Sequence, residues 1–549
     1  MKKRHPHKHN VLLVNITRLG DMLQATPTIA GMKMENPDCR ITVVVEKQFD
    51  QVLRNIPNID EIVSIDLGMT VRSLAREGEG VLDAYDYVSE FVARLKAMNF
   101  DYCLNMSSSA YSAMLINALE IKRIGGWTSD DEGYRIIDSD WARLFATSVF
   151  HQNRQFNSLN LVDVWRASAD VEQHPQSLLL DVGAAELEFA RDMIASAGFT
   201  NTGPIVAVQA GASQGKRQWA PYRFVNFIKE LTEKHNVRVL MTGTSKELGI
   251  IDQIKNGCAS QNVFVAAGKT NVPQLAALLK LSDLLVTGDT GPMHISVAVG
   301  TPVVAMFLAS AFGYETGPYS AGNIVLQPVI GCGPCNPNKP CSRPDCHDHI
   351  DPQALAQITL MRLGGDIRSL PAGLVDQSKV IVYRTFFDSY GFYDMQALTD
   401  EYVDSFKGYR DAYRKLWLDD LGGYEQPSGG SSRVKALQQY SAEQQALGGL
   451  REYADLGGRL INELIGLVND SRAPARKLGE VNDKLTELDR QIEQMGFHFP
   501  ALGPITRMFV FAKENIQGSD AVELASQMSG VYADLGRRAQ KLDFYFRMN

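Results

Sequence analysis

Short apolar runs alternate with amphipathic stretches over the first two thirds of the chain. Val11-Leu12-Leu13-Val14, Ile41-Thr42-Val43-Val44-Val45, Ile62-Val63-Ser64-Ile65 and Phe100 to Met106 have strand length. Between them Met22–Met34, Phe49–Asn55, the charged Met69–Met98 and Ala110–Leu119 read as helical. Strands alternating with helices predict parallel βαβ units. A helix over Asn160–Ala169 leads into a polar stretch, Val171–Gln176, that marks a domain boundary. The pattern restarts with a helix over Ala185–Ala197 and strands at Ile205–Gln209, Val237–Met241, Val263–Gly268 and Leu284–Gly288. This predicts an α/β chain with one doubly wound domain over residues 1–175 and a second over 176–370. Tyr383–Tyr424 is aromatic and charged, Gln426–Ser432 reads as a linker, and two stripes at spacings of three and four follow. These are Tyr453, Leu456, Leu460, Leu464, Leu467 and Leu478, Val481, Leu485, Leu488, Ile492, Met495, with Pro474 at the turn between them. Residues 371–549 are therefore read as a helical extension. It is expected to be a bundle packed on itself, with a dimerisation or acceptor-docking module as the sharper alternative.

The most informative turn is Leu284–His294. An apolar strand stops at Gly288, and Asp289-Thr290-Gly291-Pro292-Met293-His294 opens a helix, with Thr290 at the cap and Pro292 in the first turn. The amides of Thr290 and Gly291, with the helix dipole, form a seat for phosphate. Asp289 would repel a phosphate, so it is expected to face a neutral hydroxylated group such as a sugar. An ordinary Asx turn is the plain alternative. The first strand ends differently: Leu19-Gly20-Asp21 lacks the Gly-x-Gly-x-x-Gly of a dinucleotide fold, which speaks against a dehydrogenase. Asp21 sits where ligands of open α/β sheets bind, as a general base or as a first-turn acid favourable to the dipole. Ser107 and Ser108 end another strand and either line the same cleft or cap a loop. Gly211–Trp219 combines small residues with Lys216 and Arg217, adjacent cations able to neutralise a diphosphate. Glu247, at a helix start, can accept from ribose hydroxyls.

Charge and cysteines narrow the classes. Across 549 residues the net charge is −8, against a general nucleic-acid binder. The basic start Met1–His9 runs straight into a strand without the apolar segment of a signal peptide, and is read as a tail with at most a weak grip on anionic lipid. The apolar stretch Ile295–Phe312 is broken by Gly300-Thr301-Pro302 and is not a membrane span. A cytoplasmic protein, at most peripheral to the membrane, is expected. Of seven cysteines, Cys39, Cys103 and Cys258 read as buried thiols. Cys332, Cys335, Cys341 and Cys346 cluster within fifteen residues. They suit a structural zinc or iron ion, with reduced thiols or labile disulfides as the alternative. Four thiolates leave no open position for a catalytic metal.

Leu19-Gly20-Asp21-Met22-Leu23-Gln24-Ala25-Thr26-Pro27, the Gly211–Trp219 loop and Gly288–His294, in this order, resemble glycosyltransferase family 9, the ADP-heptose:lipopolysaccharide heptosyltransferases and their relatives. The resemblance covers Val11 to Gly365. It implies a GT-B fold of two Rossmann-like domains facing a cleft, with the nucleotide sugar on the second and the acceptor on the first. It implies inverting transfer with no cofactor for catalysis. Asp21 matches the family's general base. Lys216 or Arg217 matches its diphosphate-binding cation, and Glu247 its ribose-binding acid. Asp289 matches the residue reading the donor sugar, with Thr290 and Gly291 at the phosphates and His294 closing the donor motif. The expected reaction moves heptose from ADP-heptose to a lipopolysaccharide core or related glycan. A protein O-heptosyltransferase acting on a surface protein, or a scaffold working through its helical tail, is the alternative. An ADP-sugar donor, a glycan or protein acceptor and a homo-oligomer formed through the helical region are the expected partners, with no nucleic acid.

Overall fold

A computed structural model of the chain describes residues 9–548 except 17, 77, 79, 401–402, 426–440 and 471. The basic start and the Gln426–Ser432 linker lie outside the described residues. The first lobe is a six-stranded sheet of β1 (Asn10–Val14), β2 (Arg40–Glu46), β3 (Glu61–Ile65), β4 (Tyr102–Asn105), β5 (Ile124–Ser129) and β6 (Arg135–Asp138), ordered β3-β2-β1-β4-β5-β6. All neighbours are parallel except β5 and β6. Val11 to Val14 are at most 1% exposed, because helices cover both faces of the sheet.

The second lobe repeats that order. β7 (Ile205–Gln209), β8 (Arg238–Thr242), β9 (Val263–Val265), β10 (Leu284–Gly288), β11 (Val303–Met306) and β12 (Ile324–Pro328) run β9-β8-β7-β10-β11-β12. In such a sheet the order reverses beside the first strand, and the carboxyl ends there leave a crevice for ligands. Asp21 follows β1 and Asp289 follows β10, so each acid stands at its lobe's reversal point.

The region past 371 departs from the helical expectation. β13 (Val380–Phe387) and β14 (Tyr393–Ala397) add an antiparallel hairpin to β12, widening the second sheet to eight strands. Tyr383, Tyr393 and Met395 on it are buried. The helices Lys407–Asp420, Ser441–Asn469, Ala475–His498, Gly503–Glu514 and Ala521–Met548 follow. Val481, Leu485, Leu488 and Ile492 are buried as their stripe predicts. In the preceding helix Leu460 of the predicted stripe is buried and Tyr453, Leu464 and Leu467 pack against the core, but Leu456 is exposed and the buried face also takes in Leu447, Leu450, Ala454, Gly457 and Ile461. Gly457 sets this rotation: a Cβ there would lie 2.3 Å from the ring of Tyr532, which is buried against it. Nor does the bundle pack only on itself. Trp141, Leu144 and Phe156 of the first lobe share one core with Tyr413, Trp417, Leu460, Ile505 and Tyr532.

A buried carboxylate ties the lobes together. Asp163, fully enclosed in the helix Leu161–Ser168, accepts from Tyr319 Oη at 2.7 Å and from the Tyr393 N–H at 2.8 Å, with Arg166 at 3.5 Å. Burial pushes its carboxyl up to about 6, and the Arg166 charge opposes this. Among the described residues no helix is long and apolar enough to cross a membrane.

Candidate active site

The two reversal points meet. Helix Leu19–Gln24 packs against helix Gly291–Ala298. A Cβ on Gly20 would lie 3.0 Å from His294 Cδ2, and one on Gly291 would lie 3.9 Å from Leu19 Cδ2. Glycine at position 20 is what lets the first lobe's turn approach this closely. Asp21 is half-buried in the first turn, where its Oδ2 accepts from the Arg18 N–H at 3.2 Å. Asn15 Nδ2 donates to the Asp21 carbonyl at 3.0 Å. Ser107 is buried, and its Oγ accepts from the Ile16 N–H at 2.7 Å. It therefore holds the turn that presents Asp21 rather than facing a ligand. Ser108 is exposed, and its carbonyl accepts from Arg135.

His294 lies at the seam between the lobes, not out on the donor side. It is 5% exposed, and its Nδ1 has no hydrogen-bond partner among the described residues. Burial pushes its imidazole below the ordinary value, while the Asp289 and Asp21 carboxylates pull it back. One side chain thus feels both acids. Thr290 is the cap residue as expected, but its Oγ1 meets Thr287 Oγ1 at 2.9 Å instead of closing the helix. With no side-chain cap, the helix start stays open to an anion.

The two cations of the glycine loop separate. Lys216 Nζ donates to the carbonyls of Asn336, Pro337 and Lys339 at 2.7, 3.1 and 2.7 Å. It fastens the cysteine loop, so the expectation that it holds a diphosphate is corrected. Arg217 instead donates to Asp289 Oδ2 at 2.7 Å and to Ser213 Oγ at 2.8 Å, and its buried Nε–H has no partner among the described residues. The pair resolves the repulsion expected between Asp289 and a phosphate, since Arg217 neutralises the carboxylate next to the open helix start. Thr316 Oγ1 donates to the other oxygen, Asp289 Oδ1, at 3.3 Å. Glu247 accepts from Gln209 Nε2 at 3.1 Å and from the Thr244 N–H and Oγ1 at 2.7 and 2.9 Å. It presses on Gly211, where a Cβ would fall 1.6 Å from Oε1. Thr244 occupies both lone pairs of Oε2, and Oε1 keeps one for a ligand hydroxyl.

Arg154 was not singled out by any motif. Its guanidinium crosses from the first lobe to Glu315 at 2.6 and 2.9 Å, to the Ser310 carbonyl at 2.7 Å and to the Cys335 carbonyl at 3.1 Å. Residues 161 apart in sequence carry no spacing signal for such a clamp.

The cysteine loop does not assemble the metal site its spacing suggested. Cys332 and Cys341 are exposed, Cys335 is half-buried and Cys346 is buried. Burial, and then the neighbouring Cys332 thiol, push Cys335 up to about 11, and Cys346 and Cys341 add to this. The thiols share a neighbourhood, yet among the described residues no three His, Cys, Asp or Glu side chains converge where they would hold a metal ion. The loop is fastened by protein groups instead: Lys216 from one side, Arg154 from another, and His347, whose Nε2 meets the Lys216 carbonyl at 2.8 Å.

Several known proteins are similar to the two-lobed region. Residues 88–345 match the family model described as glycosyltransferase family 9 (heptosyltransferase). Lipopolysaccharide heptosyltransferase 3 of Escherichia coli (strain K12) is 25% identical over 292 residues, covering 53% of this chain and 80% of that one. The lipopolysaccharide core heptosyltransferase OpsX of Haemophilus influenzae is 25% identical over 317 residues, covering 57% and 82%. The solved structure of E. coli ADP-heptose lipopolysaccharide heptosyltransferase II is 17% identical, with a TM-score of 0.47, covering 64% of this chain and 98% of that one. Through residues 88–345, which span most of both lobes, the chain is similar to glycosyltransferase family 9.

Proposed function

We propose that the chain is an inverting glycosyltransferase that moves heptose from ADP-heptose to a hydroxyl of a lipopolysaccharide core or related glycan. The observation that carries this reading is the seam at Gly20 and His294, which sets Asp21 of one lobe opposite the open helix start and Asp289 of the other. Asp21 takes the proton of the attacking hydroxyl as the new glycosidic bond forms. The bond from the sugar's anomeric carbon to the diphosphate breaks on the opposite face, inverting that carbon. Charge grows on the departing ADP, and the helix start at Thr290–Gly291 and the Arg217 guanidinium stabilise it. Asp289 and Thr316 hold the sugar hydroxyls, and Glu247 holds the ribose. A chelator is expected to leave this rate unchanged, because fixed protein groups carry the charge. The cytoplasm, with at most peripheral contact at the inner membrane face, is the compartment this reading assigns.

The test is Asp21→Asn with ADP-heptose and a core oligosaccharide. Turnover should fall at least about a hundredfold, the scale of a positioned general base, with ADP affinity within twofold of the parent. Retained turnover would remove Asp21 from the role. Retention of the donor's anomeric configuration in the product would overturn the inverting step.

A further inference from the structure

A cavity of about 390 Å³ opens beside the clamp formed by Arg154. Three parts of the chain line it: His151, Gln152 and Gln155 of the first lobe, the cysteine loop around Cys332, and the end of helix Ala475–His498 at Phe497. None of its lining residues is a lysine, arginine, aspartate or glutamate. Its size is at the lower end of the range for small-ligand pockets, roughly 300–1,000 Å³. The side-chain amides of Gln152 and Gln155 make no hydrogen bond among the described residues, so both present a free donor and acceptor. Partial burial and the Arg154 and Lys339 charges hold His151 below its ordinary pKa, so it is neutral near pH 7. Phe497 is 51% exposed. Neutral amides, a neutral imidazole and an open aromatic face suit a ligand rich in hydroxyls and C–H edges, and no lining side chain carries a formal charge to pair with an ion.

The cavity is also tied to the donor side. Gln155 adjoins Arg154, which bonds Glu315; the next residue, Thr316, donates to Asp289. Its third wall belongs to the helical region, which lies beyond the residues matched by the family model.

We propose that this cavity is an acceptor subsite, built jointly by the transferase lobes and the helical region, that takes a neutral sugar residue of the acceptor glycan away from the reacting hydroxyl. The proposal rests on the transferase reading for its role and on the lining for its ligand class. The test uses the full chain and a core oligosaccharide released from lipopolysaccharide by mild acid. In the double variant Gln155→Ala/Phe497→Ala the acceptor KM should rise about tenfold, as expected for losing a hydrogen bond and an aromatic contact. The kcat and the KM for ADP-heptose should stay within twofold. Independently of activity, the oligosaccharide should slow iodoacetamide labelling of Cys332 in the unaltered protein at least threefold, read by peptide mass, while ADP and inorganic phosphate should not. Transfer with an unchanged acceptor KM in the variant and no protection of Cys332 would overturn the subsite and leave the transferase reading standing. If no sugar is transferred to any acceptor, that reading falls. Protection of Cys332 would then still support a sugar site, and its absence would end the proposal.

Discussion

Lys216 offers the sharpest test of how the donor side is built. By sequence it is interchangeable with Arg217; in the structure its ammonium caps three carbonyls of the cysteine loop. A hydrogen bond from a charged donor contributes about 1.5–3 kcal/mol when buried. Pro337 and Lys339 are exposed, so water can replace part of each bond, and roughly 0.5–1 kcal/mol per bond is a fairer figure. Lys216→Ala should therefore loosen the loop by about 1.5–3 kcal/mol. A factor of ten corresponds to about 1.4 kcal/mol, so the open population should rise roughly 10- to 100-fold. Cys346 reports it: the residue is buried, and burial pushes its thiol above the ordinary value, so alkylation waits on loop opening. Its iodoacetamide labelling rate should rise by that factor in Lys216→Ala and stay near the parent's in Arg217→Ala. ADP affinity, by titration calorimetry, should show the reverse order. If Lys216→Ala weakens ADP as much as Arg217→Ala does, or leaves Cys346 as slow as before, the separation of the two cations is wrong.

Three more outcomes follow from the same geometry. Arg154→Met strands Glu315 in a pocket where burial pushes its carboxyl up, and breaking such a pair costs about 3–5 kcal/mol; urea unfolding of this variant and of Glu315→Gln, with the double variant, measures the coupling. Gly211→Ala drives a methyl into Glu247, and should cut ADP affinity at least about tenfold while circular dichroism stays unchanged; normal affinity would free Glu247 from the nucleotide site. His174 is held neutral, its pKa down at about 4 through burial and then the Arg166 charge. Because the unfolded chain takes up the proton near 6.5 and the folded one only near 4, His174's contribution is full above pH 6.5 and declines as pH falls between those values. His174→Gln should flatten the stability profile in that window, and an unchanged slope would place the titrating group elsewhere.

The inner strands β1–β4 and β7–β10 were legible because most are nearly unbroken apolar runs set off by turn residues. Asp21, Asp289 and Thr290 were legible for a related reason: a strand end next to a helix start is a position that local sequence defines. Lys216 and Arg217 show where such reading stops. Adjacent residues of the same charge point in different directions, and only the path of a loop 120 residues later decides which one reaches the acid. Arg154 was invisible because its partners are brought near by the docking of two lobes. His294 was legible as part of its motif, but its contact with Gly20 was not, since that comes from the other lobe. The hairpin at 380–397 was missed because aromatic residues there were read without a sheet to join. Its alternation of Val380, Val382 and Arg384 with Ile381, Tyr383 and Thr385 makes sense only beside β12.

That hairpin governs how the protein can be taken apart. Ile324–Pro328 gives its outer row of amides and carbonyls to residues 380–384. A fragment stopped at 371, short of the hairpin, would leave an apolar strand with a bare rim, the kind that recruits other chains end on end. Expression of a shortened transferase must therefore keep at least Val380–Ala397, and insolubility of a shorter piece would speak of a lost neighbour strand rather than of a catalytic unit unable to fold.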